Sequence, residues 1–151
     1  MHKNKILNLF LIASVMLGAG SVMAHHSFAM FDRSNEQVLE GSVVRWAFNS
    51  PHIALYLETK DGTLYSLEGA GPVQLMTIKP AMNGFTFKPG QHVRVVYCPL
   101  HDGRSGGAIG FIIDDDGVFY KPNDGGCQPN ANWDKWIAAG YTSKAQAEAA
   151  R

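Results

Sequence analysis

Cysteine is scarce in this chain. Cys98 and Cys127 are its only two, far apart and without a Cys-x-x-Cys pair, which excludes a zinc ribbon or a thioredoxin-like redox motif. Neither sign of charge is in excess, because 13 Lys+Arg stand against 13 Asp+Glu. Phosphate binding needs clustered, uncompensated cations, so nucleic acid is not an expected partner. No apolar run reaches the ~20 residues a membrane span requires. Internal repeats and low-complexity tracts are missing. So are the Gly-x-Ser-x-Gly, His-Glu-x-x-His and Gly-Lys-Ser/Thr signatures of familiar enzymes. With 46% apolar and 17% charged residues, the 151-residue chain reads as one globular domain with short additions.

The one pronounced apolar run has the form of an export signal. Lys3 and Lys5 precede residues 6–17, and residues 18–24 are small and end in Val22-Met23-Ala24. Cleavage after Ala24 is expected, leaving no membrane anchor and a periplasmic or secreted product. Taking Lys3 and Lys5 from the thirteen bases leaves eleven against thirteen acids. In an oxidising compartment an even cysteine count predicts one disulfide, Cys98–Cys127.

The pattern divides the chain into a signal at 1–24, a domain at 25–121 and a C-terminal extension at 122–151. Within the domain, residues 37–48 are β-branched and aromatic, and Gly41 suggests a bulge. Residues 52–59 alternate, with Ile53, Leu55 and Leu57 on one face. Lys60-Asp61-Gly62 predicts a hairpin turn into a third strand at 63–68. The period then changes: Pro72 opens a helix of about two turns, limited by Pro80. Further strands are expected at 91–100 and 108–113, with a short one at 118–121, and residues 101–107 are read as a flexible loop. Five short half-apolar strands bury too little as an open sheet, so the expected fold is mostly β: a small five-stranded OB-like Greek-key barrel, its helix between strands three and four. In the extension, Trp133, Trp136 and Ile137 share a helical face behind a capping Asn132. Ser143 and Gln146 have capping-box spacing for a last helix. The Trp133/Trp136 face either docks on its own domain or binds a partner.

Histidine placement is the chemical lead. After cleavage His25 carries both the free α-amine and an imidazole, and two such nitrogens chelate one metal ion. His26 offers a second arrangement through its peptide nitrogen and ring. His52, directly after Pro51, is the expected distant ligand. Nitrogen ligands in a fixed plane suit tetragonal Cu(II), so copper is the expected metal. Against this stands a plain reading in which exposed histidines behind a cleavage site have no role and His52 only completes a turn. His92 beside Arg94, and His101 beside Asp102, are read as surface residues. Glu68 is a lone carboxylate better suited to a structural hydrogen bond than to acid catalysis. Asp114-Asp115-Asp116-Gly117 reads as a turn, lacking the alternate spacing of a calcium loop.

The chain resembles an uncharacterised family of small exported bacterial proteins. The resemblance rests on Ala24-His25-His26-Ser27-Phe28, Phe48-Asn49-Ser50-Pro51-His52, Leu67-Glu68-Gly69 and Lys88-Pro89-Gly90, within residues 24–121. It departs at Ser50, where the family usually carries Asn, and at Phe48, often Trp. It implies export and a β-barrel-like domain but no activity. Three functions follow as expectations. The first is a periplasmic binding module holding copper through His25, His26 and His52. The second is a non-catalytic accessory subunit that meets a periplasmic protein partner through Trp133 and Trp136. The third, an enzyme, lacks a second acid–base group and is the least supported.

Overall fold

The computed structural model describes residues 28–150; the expected export signal, His25 and His26 lie outside them. A single turn of 3-10 helix (Phe28–Met30) leads into β1 (Gln37–Ala47), β2 (Ala54–Glu58) and β3 (Leu64–Glu68). A short helix, α1 (Pro72–Thr77), separates these from β4 (His92–Pro99), β5 (Gly106–Asp114) and β6 (Phe119–Tyr120). Two helices, α2 (Trp133–Ala138) and α3 (Lys144–Ala149), complete the chain. No helix among the described residues is long and apolar enough to cross a membrane.

The strands run β3-β2-β1-β4-β5-β6, and a parallel pairing of β3 with β5 closes the first five into a barrel. Its interior is built by alternation. Leu55 and Leu57 of β2 and Val93 and Val95 of β4 are buried there, and so are Ile109 and Ile112 of β5, three apart because the register with β4 shifts between them. In β1 the alternation is interrupted between Val43 and Arg45, where the register with β2 shifts. This bulge lets Val43 and Trp46, three apart, both face the core. The break expected at Gly41 is therefore displaced. Gly41 stays in register opposite Val93 of β4, and a side chain is excluded there because a Cβ would lie 2.3 Å from the Glu58 carbonyl oxygen.

The fifth strand starts earlier than the sequence suggests. Gly106 and Gly107, read as loop, belong to β5 and form the seam. A Cβ on Gly106 would lie 2.8 Å from the Ser66 oxygen, and one on Gly107 only 2.3 Å from the Cys98 oxygen. Closure needs backbone-to-backbone approach on both sides of this strand, so glycine serves as a packing residue here.

β5 is buried on both faces. Its outer face, with Phe111, Ile113 and Val96 of β4, is covered by Trp133, Trp136 and Ala147 of the extension. The extension is attached covalently and by polar contacts as well. Cys98 and Cys127 form the expected disulfide, and the carboxylate of buried Glu36 accepts hydrogen bonds from Asn130 N and Trp133 Nε1 and pairs with Lys144 Nζ. The helix starts differ in detail from the sequence reading. Asn132 makes no side-chain cap bond. Ser143 does cap α3 by accepting from Gln146 N, but Gln146 Oε1 reaches back to Thr142 N, one residue past the Ser143 N of a reciprocal box.

Tyr97 is a titrating reporter of the barrel. Its hydroxyl donates to Gln37 Oε1, and its ring meets Tyr65 edge-on. Burial, and secondarily the neighbouring Tyr65 phenol, push its pKa from 10 up to about 12. A raised pKa on an acid that is neutral when protonated contributes stability fully below pH 10 and loses it as pH climbs through about 12. Phenolate absorbance should therefore show one tyrosine ionising last, together with loss of the folded signal. Its ionising together with the half-buried tyrosines would contradict the packing.

Candidate functional site

His52, Glu68 and Asp124 converge at the end of the barrel where β2 begins and β3 ends. One potential ligand atom from each lies within 4.8 Å of the others, the one such group of three among the described residues. Local backbone pairing produces the convergence. Ile53 N donates to Ala70 O and Gly69 N to Ile53 O, which extends the β2–β3 ladder past Glu68 and sets His52 beside it. Ala70 N then donates to Pro122 O, drawing residues 122–124 alongside. This second approach requires Gly69, because a Cβ there would stand 2.5 Å from Pro122 O and 2.7 Å from the Ile53 side chain.

His52 is oriented by Nδ1, which lies 3.0 Å from the Gly69 carbonyl oxygen. A carbonyl only accepts, so Nδ1 carries the proton in that bond and the ring's lone pair sits on Nε2. The same nitrogen is 3.4 Å from Asp124 Oδ2 and 3.6 Å from Glu68 Oε1. The two carboxylates thus gather on the protonated side of the ring, so a divalent cation bound among the three groups would have to displace the Nδ1 proton and its bond to Gly69; that nitrogen and the carboxylate oxygens then form a mixed donor set of the kind divalent cations take. Asp124 is itself held in place, its Oδ1 accepting from Gly126 N at 2.9 Å. Glu68 also lines a cavity of about 290 Å³ with Met30, Arg104 and Gly106.

The start of the described chain lies against this cluster. The Phe28 ring packs on the Gly125–Gly126 backbone, where a Cβ on Gly126 would meet Phe28 Cδ1 at 3.1 Å. Asp124 is the residue before that contact.

The other sequence-derived candidates are placed elsewhere. His92 stands apart, with Nε2 3.2 Å from Glu40 and Nδ1 3.1 Å from Asp115. Its polar contacts are acidic, and Arg94 shares its strand face as expected. Asp102, next to His101, is engaged by Arg104 at 2.8 Å. Asp114 accepts from Val118 N and Tyr120 Oη, as a turn residue does. Trp133 and Trp136 stack edge-on and are buried against their own barrel, so a partner would reach them only after the extension detached. Asp124 was not visible as a site residue, since its Pro-Asn-Asp-Gly-Gly context is that of an ordinary turn. Only the Ala70–Pro122 pairing brings it to His52.

No significant similarity to a curated protein or to a solved structure was found. A family model does match residues 12–109. Those residues include His52 and Glu68 and stop within β5, so Asp124, Cys127 and both extension helices fall outside the match. On that coverage the chain belongs to the family of unknown function DUF6152.

Proposed function

We infer that this protein is an exported metal-binding module, a small barrel of the OB type that holds copper at the His52 end. The observation that carries the reading is the meeting of His52, Glu68 and Asp124 beside the point where the chain arrives from its N-terminus. Phe28 packs next to Asp124, and His25 is three residues earlier in the sequence. Three residues of extended chain span about 10 Å, enough for an N-terminal amine and imidazole to reach the cluster. With those donors the site offers amine, imidazole and carboxylate, which favours Cu(II) over Mg²⁺ or Ca²⁺. The disulfide supports an oxidising destination, and the apolar run before Ala24 supports export to a bacterial periplasm. The strand order and the helix between β3 and β4 support the OB-type description.

The test is a Cu(II) titration of the protein beginning at His25, its start verified by mass spectrometry. Asp124→Asn, His52→Ala and an Nα-acetylated form are titrated beside it. Loss of a ligand or its supporting shell commonly costs ten- to a hundredfold in affinity. Each change should weaken binding at least tenfold, acetylation by removing the amine as a ligand. Equal affinity across all four forms would sink the reading.

A further inference from the structure

α1 and the loop after it display apolar side chains that a folded domain ordinarily hides. Phe85 is 86% exposed, Val73 73% and Met76 53%. The exposure is built in by a tight turn. Asn83 Oδ1 accepts from Phe85 N, Thr86 Oγ1 accepts from Asn83 N, and Asn83 O accepts from Trp46 Nε1 on β1. Either side of Phe85, Met82 and Phe87 point inward and are buried. Met82 N also donates to Leu75 O, which ties the loop to α1 and places Val73, Met76 and Phe85 on connected segments at one end of the barrel. Phe85 is thus an anchored protrusion.

Charge identifies what such a protrusion fits. Lys79 and Lys88 flank the tip and are exposed. From Gly69 to His101 the sequence contains no Asp or Glu. Neither lysine forms an ion pair among the described residues, and exposed aromatic and aliphatic side chains between such lysines match the boundary between anionic headgroups and acyl chains, where the rings sink in and the ammonium groups stay with phosphate. A protein partner would need a pocket shaped for the tip, whereas a lipid surface accepts a convex aromatic without one. We propose that the 79–88 loop with α1 is a membrane-surface contact that docks the domain on anionic phospholipid. The proposal does not depend on the metal site.

The experiment is co-sedimentation of the protein, purified from an exporting bacterial host, with vesicles of phosphatidylcholine alone and of phosphatidylcholine mixed with phosphatidylglycerol. Phe85→Ala and the double variant Lys79→Gln/Lys88→Gln are run alongside, all three with the same verified N-terminus, so differences among them report the loop. The unaltered protein should bind the anionic vesicles, and added salt should release it. Phe85→Ala should lower the bound-to-free ratio severalfold, and the two lysine changes roughly fivefold each. All three should show the same thermal midpoint, since the altered side chains are exposed. Failure of the unaltered protein to prefer anionic vesicles overturns the proposal. So does equal binding by the three proteins, or retention of the loop by an acidic protein partner without any lipid preference.

Discussion

Replacing Glu36 with alanine is expected to destabilise the protein by about 3–5 kcal/mol, the range for removing one partner of a buried charge network. Glu36 is only 3% exposed, and three donors converge on its carboxylate. Asn130 N reaches Oε2 at 2.7 Å, Trp133 Nε1 binds the same oxygen, and Lys144 Nζ lies 3.2 Å from Oε1. Its backbone oxygen also accepts from Lys144 N. Every donor comes from the extension, while Glu36 immediately precedes β1. Truncation leaves the Trp133 indole N–H without its acceptor in a buried place and removes the partner of the half-buried Lys144 ammonium. Glu36→Gln keeps the shape and one acceptor, so it should fall between the two. Urea denaturation followed by tryptophan emission is the measurement, since Trp133 and Trp136 sit at this junction. A loss below about 1 kcal/mol in Glu36→Ala would mean that the extension is held by its apolar face alone.

The second large effect concerns the disulfide. The paired Cys98→Ala/Cys127→Ala protein should lose roughly 3.5 kcal/mol, from the chain-entropy estimate for a closed loop with sequence separation 29. The bridge ties the last turn of β4 to the chain just after Asp124, and both sulfurs are buried with Phe31 and Ala108. Because Cys127 is three residues from Asp124, the same change should also weaken Cu(II) binding where the site forms as inferred above. Denaturation with and without reductant checks the stability part. The unaltered protein under reductant should match the double variant, and a midpoint unmoved by reductant would contradict it.

These two attachments explain how an extension beyond the family match becomes part of the domain. Its two short helices carry too few residues to be stable alone. They are held by burying Trp133 and Trp136 against Phe111, Val96 and Ile113, by the carboxylate clasp and by the covalent bridge. The outer face of β5 would otherwise expose these apolar side chains to water.

Much of the architecture could be read from periodicity. Ile53, Leu55 and Leu57 alternate in the sequence and are all fully buried. Pro72 opens the helix between β3 and β4 as its fixed φ suggests. Gly140 ends α2 with a positive φ of 82°. The errors fall where a residue's role depends on something distant. Gly106 and Gly107 resemble a flexible loop because glycine usually marks one; that they are seam residues depends on Ser66 and Cys98 approaching from two other strands. The bulge sits at Val43/Arg45 rather than Gly41, because its place depends on how β1 pairs with β2 on one side and with the distant β4 on the other.

The same division runs through the candidate site. Local patterning alone established the strands, the turn at Pro51 that presents His52, and the single possible cysteine pair. These are properties of neighbours along the chain. The meeting of His52 with Asp124 was settled only by folding, since the two are brought together by one backbone pairing between Ala70 and Pro122 and by the absence of a side chain at Gly69. Backbone hydrogen bonds carry no side-chain identity, so such a pairing leaves no mark in the residues it unites.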